Sequence, residues 1–141
     1  MIRLRPMILV TLACLALCGS TALQAQIRMR AGMWENSVTA NGQTATRSHC
    51  FTAAQAEEAN GPVSALRASA EKALAKNGKC TLKDFKVEGN TKTESFVCGS
   101  ITYSNNSTFH GGDSFETTVT MTEAGVAHVS LMKGHRTGAC P

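Results

Sequence analysis

Residues 80–98 read CTLKDFKVEGNTKTESFVC, and the fold follows from how this stretch is paired. Two β-prone runs flank Glu88-Gly89-Asn90, which predicts a hairpin with a cysteine at each free end. If those three residues form the loop, Val87 faces Thr91, and counting outward sets Cys80 opposite Cys98. Facing residues on neighbouring strands have Cβ atoms about 4.5–5.5 Å apart, close to what a disulfide needs. The same register sets Asp84 opposite Glu94 and Lys86 opposite Lys92, and facing like charges are unfavourable. The diagonals Asp84–Lys92 and Lys86–Glu94 relieve part of that conflict. A two-residue Gly89-Asn90 turn would instead face Cys98 with Thr81 and turn Cys80 to the other side of the sheet.

Working outward, the chain downstream is also β-prone. Strands are expected at 80–87, 91–98, 101–110, 114–122 and 126–135, joined by short glycine-containing links. Short links between consecutive strands give an antiparallel meander. Phe115, Thr117, Val119 and Met121 share one face, as do Val129 and Leu131, and the many threonines suit strands with one wet face. Upstream, residues 33–40 alternate so that Trp34 and Val38 would face the core. Asn41-Gly42 is a strong hairpin signal because both residues tolerate positive φ, and 43–51 is the return strand. Between the two β segments lies a helical insert near 52–77. Thr52 and Gln55 fit a capping box, and Asn60-Gly61-Pro62 interrupts. Val63, Leu66, Ala70, Ala73 and Leu74 then recur at helical spacing, with Lys72 and Lys76 near the negative end of the dipole. Asn77-Gly78 can supply the C-cap. The apolar stripe is narrow and Ala-rich, as expected of a helix lying on a sheet. The expected fold is mainly β: a curved meander of about seven strands with this insert, either open or closed into a small barrel.

The chain begins MIRLRPMILVTLACLALCGSTALQA. Arg3 and Arg5 precede an apolar run from Met7 to Leu17 and then small residues, which is the layout of a signal peptide. Cleavage is expected near Ala25, leaving 26–141 as a single domain in the periplasm or secreted. A lipid anchor at Cys18 is disfavoured because the large Leu17 precedes it. No other stretch is long and apolar enough to span a membrane. The formal charge is +4, and +2 without Arg3 and Arg5, too weak to argue for nucleic acid. The remaining cysteines are Cys50, Cys80, Cys98 and Cys140, and an even number in an oxidising compartment reads as two disulfides.

Four cysteines allow three connectivities. Alternating strand directions place Cys98 and Cys140 at opposite ends of the meander. If the first strand pairs antiparallel with the last, Cys50 lies at the same end as Cys140. The expected pairs are therefore Cys80–Cys98 and Cys50–Cys140.

Several fixed points then line up. They are Gly32-Met33-Trp34-Glu35, Cys50-Phe51-Thr52 before the insert, Gly89-Asn90 between Cys80 and Cys98, and Gly112-Asp113-Ser114-Phe115. The chain closes on Gly134-His135-Arg136-Thr137-Gly138-Ala139-Cys140. The set resembles a family of small exported bacterial proteins known only as a domain of unknown function. Its members begin Gly-x-Trp-Glu and end Gly-Arg-Arg-x-Gly-x-Cys. His135 stands where an arginine is more usual. The resemblance implies a Gram-negative envelope location and no activity.

Chemistry-bearing patterns are sparse. His49, His110, His128 and His135 are scattered without metal-ligand spacing, so no metal and no cofactor are expected. There is no nucleophile elbow and no unpaired cysteine outside the leader. Glu35 and Asp113 are a conceivable acid/base pair that nothing in the sequence brings together. No catalytic activity is expected. The remaining candidates are Lys133, His135 and Arg136 as a cationic spot for an anion or a partner, and Trp34 as a core anchor or a ligand-stacking platform. The leading expectation is a non-catalytic binding or interaction module for a small apolar ligand or an envelope protein. The alternative is a structural or stress-related envelope factor with no small ligand.

Overall fold

The computed structural model describes residues 29–76 and 80–141. The signal-peptide reading of 1–25 and the C-cap at Asn77-Gly78 lie outside the described residues. In chain order the elements are β1 (Gly32–Ala40), β2 (Gln43–Phe51), α1 (Ala53–Ala59), α2 (Val63–Lys76), β3 (Cys80–Glu88), β4 (Thr91–Cys98), β5 (Ile101–His110), β6 (Ser114–Glu123) and β7 (Val126–Gly138). All seven strands form one antiparallel sheet ordered β2-β1-β7-β6-β5-β4-β3. β3 to β7 are a meander, and β1 folds back onto β7 so that the first hairpin extends the sheet. Closure into a barrel does not occur, because β2 and β3 remain the two edges. Edge strand β2 is exposed along nearly its whole length. It has no continuous apolar face to bury in a closed lumen, and the helices cover the inner face at the β3 end instead.

The hairpin of 80–98 is built differently from the simple count. Its turn is the two-residue Gly89-Asn90, with Glu88 facing Thr91. Gly89 takes the left-handed backbone the turn needs, at φ 58°. Cys80 nevertheless faces Cys98, because a β-bulge between Leu82 and Asp84 inserts Lys83 as an extra residue. The bulge also removes the charge conflict. Asp84 now faces Ser95, Lys86 faces Thr93, and the apolar Phe85 and Val87 face Glu94 and Lys92. Leu82 and Phe85 can thus both serve the core despite their odd spacing.

The insert is two helices broken at Asn60-Gly61-Pro62. Thr52 Oγ1 accepts from the Gln55 amide at 3.2 Å, and Gln55 Oε1 accepts from the Thr52 amide at 2.8 Å, so the capping box is complete. Ser69 Oγ of α2 donates to Glu58 of α1 at 2.7 Å and ties the two together. The narrow stripe of α2 lies on β3. Val63, Leu66 and Ala70 pack against Phe85 and Val87, with Leu82, Phe109 and Met29 around them. Full burial of a Phe or Val side chain is worth about 1.5–3 kcal/mol, so this contact is what holds the helices to the sheet.

A second cluster is aromatic. Trp34 is 1% exposed, and its indole N–H donates to the Arg30 carbonyl at 3.0 Å. Phe51 meets it edge-on at 6.4 Å between centroids, Phe115 lies against it at 5.9 Å, and Phe109 continues the row at 6.0 Å from Phe115. Val38 shares the inner face with Trp34, yet it is 37% exposed. The helices reach across from the β3 edge and stop short of it.

The two disulfides join Cys50 to Cys140 and Cys80 to Cys98, the expected pairs. They sit at opposite ends of the sheet. Two disulfides point to a non-cytoplasmic protein. Among the described residues no helix is long and apolar enough to cross a membrane.

Candidate functional site

The inner face of the sheet can be read directly from its register. Val87, Lys92, Ser107, Thr117, Met132, Val38 and Ala45 form one row across the seven strands. The next row toward the turn of the first hairpin contains Phe85, Glu94, Asn105 and Val119. Polar and charged side chains therefore stand in the middle of a face otherwise lined by aromatic and aliphatic groups.

Between this face and the helices lies a cleft with two connected compartments. The larger, about 380 Å³, is walled by Leu66, Ala70 and Ala73 of α2 and by Phe85 and Phe109 of the sheet. Its volume is within the range of small-molecule sites. The smaller, about 250 Å³, is walled by Trp34, Phe51 and Phe115 and floored by Asn36, Ser107 and Thr117. Met29, Phe51, Lys92 and Phe109 line both. Met29 is held there by its backbone, since its amide donates to Asn60 Oδ1 at 2.7 Å and its carbonyl accepts from Asn60 Nδ2 at 2.9 Å. Asn60, which ends α1, thereby pins the entering chain over the cleft.

The polar floor has a definite hydrogen-bond order. Thr117 Oγ1 donates to Ser107 Oγ at 2.9 Å, with both side chains buried. Lys92 Nζ bonds Glu94 Oε1 at 3.2 Å, and Asn105 Nδ2 donates to the same oxygen at 3.1 Å. The Lys92 ammonium also lies 5.9 Å from the centre of the Phe85 ring, a cation–π contact. Its side chain is 25% exposed and that of Glu94 14%, unusually covered for a charged pair on a sheet. Asn36 Oδ1 and Asn105 Oδ1 are buried without a hydrogen-bond partner among the described residues.

The residues singled out from sequence are spread over both faces. Lys133 and His135 project outward from β7, and Arg136 projects inward beside Gly32. Lys133 Nζ pairs with Glu116 at 2.8 Å, and His135 Nε2 is 3.8 Å from Glu35. Arg136 Nε donates to the Ala31 carbonyl at 2.7 Å. Gly32 is what admits it, because a Cβ there would strike the Gly138 carbonyl and the Arg136 guanidinium. Trp34 lines the smaller compartment as a buried wall flanked by Phe51 and Phe115. Asp113 is bound by the Arg30 guanidinium, and Glu35 lies near His135, so the two carboxylates have separate partners.

Sequence reasoning missed Lys92, Glu94, Phe109, Met29 and Asn60. A signal existed for the first two. Lys92 and Glu94 share strand parity with Phe96, which puts charges on the apolar face of an alternating strand.

On the outer face, the hydrogen bond from Lys133, reinforced by its charge, holds the Glu116 carboxyl below the usual carboxylate range. A lowered folded-state pKa stabilises above the unfolded value, and that contribution fades as pH falls through the lowered value. The pair is solvent-exposed, so the effect on stability is small. In Lys133→Ala the Glu116 titration, followed by carboxyl carbon NMR, should move up toward the ordinary value. An unmoved midpoint would show that Lys133 is not the cause.

The fold and cleft define a small, disulfide-stapled, open antiparallel sheet with a two-helix cap. The chain belongs to the family described as Protein of unknown function (DUF3617), which matches residues 29–140. No curated protein and no solved structure matches the chain.

Proposed function

We propose that this protein is an exported, non-catalytic binding module that holds a small apolar or amphiphilic molecule in the cleft between α2 and the sheet. The supporting observation is the cleft itself: two connected compartments walled by Leu66, Phe85, Phe109 and Phe115, with Lys92 at their junction. Such concave, largely apolar sites with few placed polar groups are the usual form of small-molecule pockets. Export is supported by the leader-like residues 1–25 and by the two disulfides. The non-catalytic reading is supported by the engagement of Cys50, Cys80, Cys98 and Cys140 in structure, since disulfide sulfurs are not nucleophiles.

The neutral dye N-phenyl-1-naphthylamine tests the reading. It should bind saturably with an emission increase and should quench Trp34, the sole tryptophan, which lines the smaller compartment. Ala70→Phe places a ring in the larger compartment and should weaken the dye at least about tenfold, or 1.4 kcal/mol. Non-saturable uptake, or equal affinity in a folded Ala70→Phe variant, overturns the proposal.

A further inference from the structure

We propose that the ligand of this cleft is a single-chain carboxylate amphiphile, with its head seated between the Lys92 ammonium and the Ser107 hydroxyl and its chain under α2. This inference rests on the reading of the cleft as a ligand site and names the ligand's chemistry.

Three observations carry it. First, among the described residues the charged side chain that lines both compartments is a cation. Lys92 lines both compartments, whereas its partner Glu94 lines neither. Glu94 lies one row away, held by Asn105. Lys92 has three N–H donors and gives one to Glu94, which leaves donors for a ligand oxygen. Glu58 also borders the larger compartment, on the helical side, where it accepts from Ser69.

Second, a neutral donor stands beside the ammonium. Ser107 faces Lys92 directly across β4 and β5. It is 4% exposed, and its oxygen accepts the Thr117 proton. Its own O–H has no acceptor among the described residues, while its side chain borders the smaller compartment. A hydroxyl and an ammonium on facing residues match the two oxygens of one carboxylate, and charge-assisted hydrogen bonds of this kind are the strong ones.

Third, the apolar volume lies to one side of these donors. The larger compartment runs from Lys92 past Phe85 and Phe109 to Leu66, Ala70 and Ala73, which give an alkyl chain apolar walls, with Gln55, Glu58 and Ser69 also lining it. The smaller compartment is walled by aromatic rings over the polar floor. A head at the junction and a tail beneath the helix satisfies both halves at once.

The test is displacement of the bound naphthylamine dye from the full exported protein by dodecanoate, dodecanol and dodecylammonium, all below their micellar concentrations. Dodecanoate should compete at least about tenfold better than dodecanol, as a charged hydrogen bond implies, and dodecylammonium should be weakest. Lys92→Met keeps the apolar stem and should erase the advantage of dodecanoate over dodecanol. Because that variant strands Glu94, Lys92→Met/Glu94→Gln serves as a second arm with the pair neutralised together. Dodecanol matching dodecanoate in the unaltered protein overturns the carboxylate assignment and leaves the cleft reading standing. A carboxylate advantage that survives in both variants does the same. Failure of the dye and of all three competitors to bind overturns both.

Discussion

Replacing Cys50 and Cys140 together by serine should cost about 4–5 kcal/mol of folding stability. The two residues are 90 apart in sequence, and in the chain-entropy account the loss grows with the logarithm of the loop closed. The bridge joins edge strand β2 to the residues just beyond β7, across the intervening β1. Apart from Phe51, which packs against Trp34 at its C-terminal end, β2 is held by its ladder to β1, because its other side chains are exposed. A domain of this size has a total stability of about 5–15 kcal/mol, so the loss is a large share of the whole. The Cys80–Cys98 bridge closes a separation of 18, and its removal should cost about 3 kcal/mol. Urea unfolding of the two double-serine variants checks the order. Equal losses would show that loop length does not govern the effect, and a negligible loss at Cys50–Cys140 would show that β2 needs no staple.

Gly134→Ala should be strongly destabilising, at about 3 kcal/mol. The backbone at Gly134 is not in the left-handed region, so the penalty is steric. A Cβ there would collide with the Phe115 ring and press on Asn36 Oδ1 at 2.7 Å. Phe115 cannot yield cheaply, since it rests against Trp34 and Phe109. Forcing extra volume into a packed site costs about 1–3 kcal/mol, and lost aromatic contacts add to it. The double variant Gly134→Ala/Phe115→Leu should be less destabilised than the sum of the singles by about 1 kcal/mol or more, because the smaller side chain vacates the contested space. Strict additivity of the two changes would refute the collision. The first glycine of the closing Gly-x-Arg-x-Gly-x-Cys run is thus explained by an aromatic ring on the adjacent strand. Its arginine is explained by the carbonyl of Ala31 and the space left by Gly32.

These contacts show how much was legible in the residues alone. Alternation, turn glycines and the capping box are local signals, and they placed every strand and both halves of the insert within a few residues. Strand direction pointed to Cys50–Cys140, while Cys80 meets Cys98 through a bulge rather than through the three-residue turn on which the count relied. The register of 80–98 was not legible at the turn, because a bulge leaves no composition signature. Lys83 is an ordinary exposed lysine whose insertion only the paired strand reveals. The cleft was equally hidden. Lys133, His135 and Arg136 are adjacent in sequence but divide between two faces, because side chains alternate along a strand. Lys92, Ser107, Phe109 and Leu66 are scattered in sequence and meet only when β4, β5 and α2 are stacked.

By itself the sequence determined the β-meander and the helical insert, since each depends on short-range periodicity, whereas Cys80 meets Cys98 through a bulge that counting along the strand does not show. Tertiary structure alone decided that the sheet stays open, that α2 covers the β3 side and leaves Val38 bare, and that Lys92 rather than the C-terminal cations faces an apolar cleft. Those outcomes depend on which faces of distant elements bury each other, and burial free energy is a property of the assembled surfaces, not of any one segment.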